Sequence, residues 1–285
     1  MRIKIKDTNI CDGCTKKNCS NNDVIEKNAF AKFRSERYTC PVKLFQYGPT
    51  DKQMDEGYID ISFGVDSIGC MYCCLCAIQC NKDNIEIIDY SFKQNDDFLK
   101  ALSLCEKQSG GCCNILALSY LDLLFDFAAN TNINKAMSFD GFMCDKNDNW
   151  FFVEVDANDD SLESCRRLLG DIVSQNHNSD RKIDAGLMVL NNLPKEGSRD
   201  VYTFIEKIKQ FPNTKHLKIY ATTFTLLRHF AINVKKNKYT VDDLLFNMST
   251  EQPNKYVDKL MKLGLLNENI KDNLGASQSL CKPPN

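Results

Sequence analysis

No stretch of this sequence is apolar for long enough to span a bilayer. The most apolar window, residues 115–129, is interrupted by Asp122 and Asp126 and falls short of a spanning helix. The opening Met1-Arg-Ile-Lys-Ile-Lys alternates apolar and basic residues and lacks the apolar core of a secretory signal. These two absences predict a cytoplasmic chain with no membrane role. Charge of one sign is lacking too. Lys and Arg number 36 against 38 Asp and Glu, a net charge of -2. That excludes a polyanion-seeking protein in the global sense and leaves nucleic-acid binding to a local basic face. There is no G-x-G-x-x-G following a strand, so flavin or nicotinamide binding has no support.

What the sequence does have is cysteine: fifteen in 285 residues, concentrated in the first third. In a chain without a secretory signal this richness points to metal or cluster chemistry rather than disulfides. Cys70, Cys73, Cys76 and Cys80 are spaced C-x2-C-x2-C-x3-C. A tight loop of that spacing aims three thiolates at three corners of one iron–sulfur cube and offers a fourth elsewhere. Buried small hydrophobes would not be so regular. Upstream, Arg2-Ile-Lys-Ile-Lys6 alternates with period two and reads as a strand. It leads into Cys11-Asp-Gly-Cys14, then Cys19, and later Cys40-Pro41.

This organisation resembles the bacterial two-cluster ferredoxins, in which each motif gives three ligands to one 4Fe-4S cluster and its fourth cysteine to the other. The resemblance implies one cluster on Cys11, Cys14, Cys19 and Cys80, and a second on Cys70, Cys73, Cys76 and Cys40. The chain departs from the family in three ways: the first motif is C-x2-C-x4-C, Cys80 is followed by Asn81 rather than Pro, and the segment from Cys40 to Cys70 is long. Four thiolates also satisfy tetrahedral zinc, the rival for Cys11, Cys14, Cys19 and Cys40. Cys74 falls between ligands and reads as a bystander. Cys105, Cys112, Cys113, Cys144 and Cys165 read as core residues.

Beyond residue 92 the pattern changes. A helix opens near Gln94 with Phe98, Leu99, Leu102 and Cys105 on one face, and Gly110-Gly111 breaks it. Residues 115–129 read as a packed central helix, with Asp122 and Asp126 four apart on a face toward solvent or a domain boundary. Residues 138–144 and 150–156 read as two strands joined by the turn Asp145-Lys-Asn-Asp-Asn149. Alternation puts Phe152, Glu154 and Asp156 on one face, with Asp140 in cross-strand reach. Three carboxylates among apolar strand positions are costly unless a cation neutralises them, and magnesium suits such hard oxygen donors. A helix from Asp160 (Leu162, Cys165, Leu168, Leu169, Ile172, Val173 apolar) follows. Then come a strand Ala185–Leu190, a helix from Val201 to Phe211 ended by Pro212, a strand from Leu217 and a helix from about Phe224. This is a mixed α/β sheet.

The element order, with Asp140 on one strand and Glu154-Val-Asp156 on the next, resembles the PD-(D/E)XK nucleases, a superfamily that includes many restriction endonucleases. The resemblance spans roughly residues 113 to 235. It implies metal binding by Asp140 and Glu154 and a catalytic set of Asp140, Glu154 and the residue two beyond. In the family that residue is Lys; here it is Asp156. Arg166, Arg167 and Lys182 are candidates for the missing cation, and Asp122 or Asp126 for a bond to metal-bound water.

Two further helices follow, near Thr240 and from Pro253 to Gly264, and Arg228, His229, Lys235, Lys236, Lys238, Lys255, Lys259 and Lys262 make this part locally basic. The expected architecture is an α+β ferredoxin-like cluster domain (1–92), a linker helix (93–112), an α/β mixed-sheet, restriction-endonuclease-like domain with added C-terminal helices (113–270), and a flexible tail (271–285). Three functions fit: a magnesium-dependent nuclease of restriction or defence type acting on DNA; an electron-transfer protein docking a redox partner; and a nucleic-acid-binding protein on an inactive nuclease fold.

Overall fold

The computed structural model describes residues 2–12, 57, 70–80, 82–90, 95–109, 111–130, 140–157, 160–178, 182–183, 185–195 and 199–267. The chain divides into two compact units, Met1–Leu116 and Ala117–Asn285.

In the first unit β1 (Arg2–Ile5) pairs antiparallel with β2 (Ile85–Ile88), Ile3 opposite Ile87 and Ile5 opposite Ile85. Ile3 and Ile5 are buried and Arg2 is exposed, as period-two alternation requires. The short helices α1 (Thr8–Asp12) and α2 (Leu75–Ile78) lie between the two strands in sequence. Asn84 joins the two ends of this region. Its Oδ1 accepts from the Asp7 N–H at 3.0 Å and its Nδ2 donates to the Asp7 carbonyl at 2.7 Å. Helix α3 (Asn95–Ser109) buries Phe98, Leu102 and Cys105, one helical stripe.

Helix α4 (Cys112–Leu124) begins just after Gly111, whose φ of 72° suits a residue without Cβ. Glu106 caps it from α3, accepting from the Gly111 and Cys113 N–H groups at 2.8 Å each. This tight turn brings Cys105 and Cys112 to a Cα separation of 6.2 Å, and they form a disulfide. Both are buried, as expected of core residues, while the preference for cluster chemistry over disulfides does not hold for this pair. Turn geometry, which composition does not carry, decides the pairing.

The second unit is built on a six-stranded mixed sheet. Its order is β3 (Phe127–Asn130), β4 (Gly141–Cys144), β5 (Trp150–Asp156), β6 (Ala185–Leu190), β7 (Lys218–Thr223), β8 (Phe246–Asn247). β3, β4 and β5 form an antiparallel meander, β6 and β7 run parallel to β5, and β8 is antiparallel to β7. Parallel neighbours need crossovers, supplied by α5 (Ser161–Asn178) and α6 (Arg199–Ile208). Crossovers of one hand put both helices on one face, and Arg166 of α5 lies over the Phe204 ring of α6 at 5.6 Å.

Strand register sorts the side chains. Phe152, Gly186 and Ile219 align on one face with Glu154, Met188 and Ala221, then Asp156, Leu190 and Thr223. α5 covers this face so closely that a Cβ on Gly186 would lie 2.7 Å from Leu168 Cδ2. α4 covers the opposite face, where a Cβ on Gly141 would meet Leu118 Cδ2 at 2.6 Å. Helices α7 (Phe224–Asn233), α8 (Val241–Leu244) and α9 (Pro253–Lys262) complete the unit, and the Tyr256 hydroxyl ties α9 to the Leu244 carbonyl at 2.6 Å. The described residues thus make a mixed α/β protein with eight strands and nine helices.

Three local expectations change. The apolar stretch 115–129 is not one helix: α4 stops at Leu124, and Phe127–Asn130 becomes the edge strand β3 paired with β4. Asp122, expected on a face toward solvent or a domain boundary, is buried from solvent and accepts from the Ala128 N–H at 3.2 Å, which holds the reversal in place. α6 ends at Ile208, leaving Phe211 63% exposed rather than on the core side, and Val173 of α5 is also exposed. Among the described residues no helix is long and apolar enough to cross a membrane.

Candidate functional site

β5 is flanked by β4 and β6, so its side chains can reach solvent only across a covered face. On that face it carries Glu154, 2% exposed, and Asp156, also buried. Asp140 lies one residue before β4. Continuing the Gly141–Val153 register by one step puts it opposite Glu154. Its carboxylate is fixed there by the Val155 N–H, which donates to Oδ2 at 2.8 Å. The structure therefore brings Asp140, Glu154 and Asp156 to one place, although Asp140 precedes the strand on which it was expected.

Helix α5 delivers the rest. Ser164, Arg167 and Asp171 recur at helical spacing on the side turned to β5. Arg167 Nη2 stands 2.9 Å from Glu154 Oε1 and 3.7 Å from Asp156 Oδ2. The Ser164 hydroxyl donates to Asp156 Oδ2 at 2.6 Å. Glu154 Oε2 is buried with no hydrogen-bond partner. Burial pushes the Glu154 carboxyl up to about 8; the Asp140 charge adds to this, Arg167 partly offsets it, and Asp171 and Asp156 raise it further.

Of the candidate cations, Arg167 alone is placed against the acids. Arg166 turns to Glu163 at 3.8 Å and the Phe204 ring, and Lys182 donates to the Asn176 carbonyl. Asp126 is exposed beyond the end of α4, and Asp122 is engaged with Ala128 and, at 3.9 Å, with Lys236. Sequence reading passed over Ser164 and Asp171. The signal was present as polar residues three and seven positions apart on the apolar stripe of an amphipathic helix.

The C-terminal basic face is narrower than expected. Arg228 is fully buried, and His229 is buried with Nε2 2.8 Å from the Leu265 carbonyl oxygen. Burial lowers the His229 pKa. Lys259 is engaged with Glu251 at 3.1 Å, whereas Lys235, Lys238, Lys255 and Lys262 are exposed.

In the first unit the second cysteine run is a compact loop. Tyr72 and Cys74 adopt positive φ (56° and 65°), curling the chain between the cysteines. The Tyr72 N–H points at Cys70 Sγ and the Asn84 N–H at Cys80 Sγ, both at 3.3 Å. None of Cys70, Cys73, Cys74, Cys76 and Cys80 is in a disulfide. The Cys74 thiol donates to the Tyr72 carbonyl at 3.4 Å. Of the first motif only the backbone of Cys11, in α1, is described; Cys14, Cys19 and Cys40 lie outside the described residues. Cys113, Cys144 and Cys165 are buried, as expected for core residues.

Among the described residues no three His, Cys, Asp or Glu side chains converge on a point that one metal ion could occupy. A cubane cluster makes no such demand, because each thiolate binds a separate iron. Magnesium asks for one or two carboxylates and keeps waters on its other positions. Comparison with family models, with curated proteins and with solved structures gave no match.

Proposed function

We propose that this chain is a magnesium-dependent nuclease-like protein acting on DNA, with an iron–sulfur domain at its N-terminal side. The observation that carries the reading is Glu154 Oε2, buried and unpartnered on a covered sheet face beside Asp140 and Asp156. A carboxylate so placed is costly without a cation. The order α4, β3, β4, β5, α5, β6, an antiparallel meander followed by a parallel strand, also supports a restriction-endonuclease-like fold.

The donor set suits magnesium, an ion held by one or two hard carboxylates, here Asp140 and Glu154, that keeps waters on its other positions. When bound, the ion would polarise the phosphate and lower the pKa of a water. The chain's own residues prepare the site. The Val155 N–H orients Asp140, Ser164 fixes Asp156, and Arg167 offers the cation that Asp156 does not. Lys235, Lys238, Lys255 and Lys262 supply exposed charge for the phosphate backbone, so DNA binding weakens with salt.

In the cysteine loop backbone N–H groups are aimed at the sulfurs of Cys70 and Cys80, the kind of hydrogen bond that tunes a cluster's sulfur ligands. They support a 4Fe-4S cluster on Cys70, Cys73 and Cys76, with Cys80 directed to a second one.

The test is a magnesium-dependent cleavage assay beside iron and sulfide quantification on one anaerobic preparation. Wild type cleaves DNA, and Asp140→Ala or Glu154→Ala abolishes cleavage with cluster absorbance intact. Cleavage that survives both substitutions overturns the nuclease reading. A second reading, binding without turnover, is favoured by Asp156 standing where the family has Lys and being held by Ser164 and Arg167. Salt-sensitive DNA binding with no cleavage under any divalent metal would establish it.

A further inference from the structure

Four carboxylates, those of Asp140, Glu154, Asp156 and Asp171, act electrostatically at the place where Arg167 supplies the guanidinium. We propose that Arg167 is a place-holder for the divalent cation: it holds Glu154 while the cation is away, and cation binding by Asp140 and Glu154 releases it toward the substrate phosphate. The inference rests on the nuclease-like reading of this site and goes beyond it by assigning the exchange.

Three observations support it. Both contacts of Arg167 to the acids are made by one nitrogen, Nη2, rather than by the two-pronged fork that makes arginine–carboxylate pairs strong. The side chain of Arg167 is 50% exposed while that of Glu154 is 2% exposed, so the guanidinium has a way out and the carboxylate does not. The two acids also differ in what they keep when Arg167 leaves. Asp156 retains Ser164 at 2.6 Å, whereas Arg167 is the ion-pair partner of Glu154 on Oε1 and Oε2 has none. Glu154 is thus the acid that loses its ion-pair partner when Arg167 leaves. Two positive groups within a few ångströms of each other repel, which makes cation and guanidinium alternatives rather than companions at Glu154. A freed, half-exposed arginine on α5 then matches the geometry of a phosphate.

The experiment is calorimetric titration of manganese chloride into the full chain, with affinity rather than cleavage as the readout. Arg167→Gln is expected to bind Mn2+ roughly tenfold more tightly than wild type, because a competing charge is gone. Arg166→Gln removes an equal charge one residue away and shifts affinity by no more than about twofold. Adding Glu154→Gln to Arg167→Gln removes the tight binding. Arg167→Lys, which keeps a charge for Glu154 and guards against a folding failure, is expected to tighten binding to an intermediate degree. Unchanged or weaker affinity in both Arg167 variants overturns the place-holder, as does equal tightening in Arg166→Gln or tight binding that persists without Glu154. If wild type binds Mn2+ and cleaves DNA while the variants fail these expectations, only the place-holder falls. If no variant and no wild type binds Mn2+, the cation site of the proposed function falls with it.

Discussion

Arg167 on α5 and Glu154 on β5 form an ion pair of 2.9 Å across a helix–sheet interface, with one partner half-exposed and the other buried. Thirteen positions separate them in sequence, and Arg167 is the positive group that partly offsets burial and the neighbouring acids at Glu154.

The raised carboxyl of Glu154 makes stability depend on pH in a defined direction. A group whose folded-state pKa lies above its ordinary value binds a proton more tightly folded than unfolded, so the unfolded chain has fewer protons between the two values. Stability therefore falls as pH rises from about 4.5 to about 8. Urea melts without divalent metal at pH 5 and pH 8.5 should show wild type losing on the order of 2–3 kcal/mol more than Glu154→Gln over this window. Equal losses in the two proteins would refute the assignment.

Ser164 donates to a buried carboxylate oxygen of Asp156 at 2.6 Å. Ser164→Ala leaves that acid short of a donor and should destabilise the protein by about 1–3 kcal/mol, the cost of an unsatisfied buried group. In Ser164→Ala/Asp156→Asn the loss should differ from the sum of the single losses, as measured by a double-mutant cycle. Additivity would show that the bond is unimportant.

Gly186 lets α5 lie close on the sheet, with Leu168 Cδ2 2.7 Å and Ile172 Cδ1 3.0 Å from where a Cβ would be. Gly186→Ala should overpack this contact and cost about 1–3 kcal/mol by chemical denaturation. If magnesium-dependent cleavage is present, it should fall as well, since α5 carries Arg167. Restoring space with Gly186→Ala/Leu168→Ala should recover part of the activity. No loss in the single variant would show that the helix yields.

Asn84 is buried, and its side chain makes two hydrogen bonds to the Asp7 backbone while its own N–H points at Cys80 Sγ. If the proposed cluster is present, Asn84→Ala should lower iron and sulfide per chain and speed bleaching of cluster absorbance in air, with little change in the melting of the second unit. Full cluster content with wild-type bleaching would disconnect Asn84 from the cysteine loop.

The sequence by itself determined whatever depends on neighbours along the chain. Turn signals bounded β5 and a short apolar run marked β6, while period-two alternation placed β1, because side chains on a strand point alternately to its two faces. The same rule put Glu154 and Asp156 on one face with Phe152, and the regular spacing of Cys70, Cys73, Cys76 and Cys80 marked the cysteine loop. It misjudged residues 115–129, where hydrophobicity is as compatible with a buried edge strand as with a helix, and only pairing with β4 chooses. Four decisions belonged to the tertiary structure alone. It turned Asp122 inward, buried Arg228, joined Cys105 to Cys112 through the Gly111 turn, and selected Arg167 over Arg166 as the partner of Glu154. Adjacent arginines are equivalent in composition, but a helix turns by about a hundred degrees per residue. Which of the two faces the acids is fixed by how α5 sits on Gly186, a contact between residues far apart in the chain.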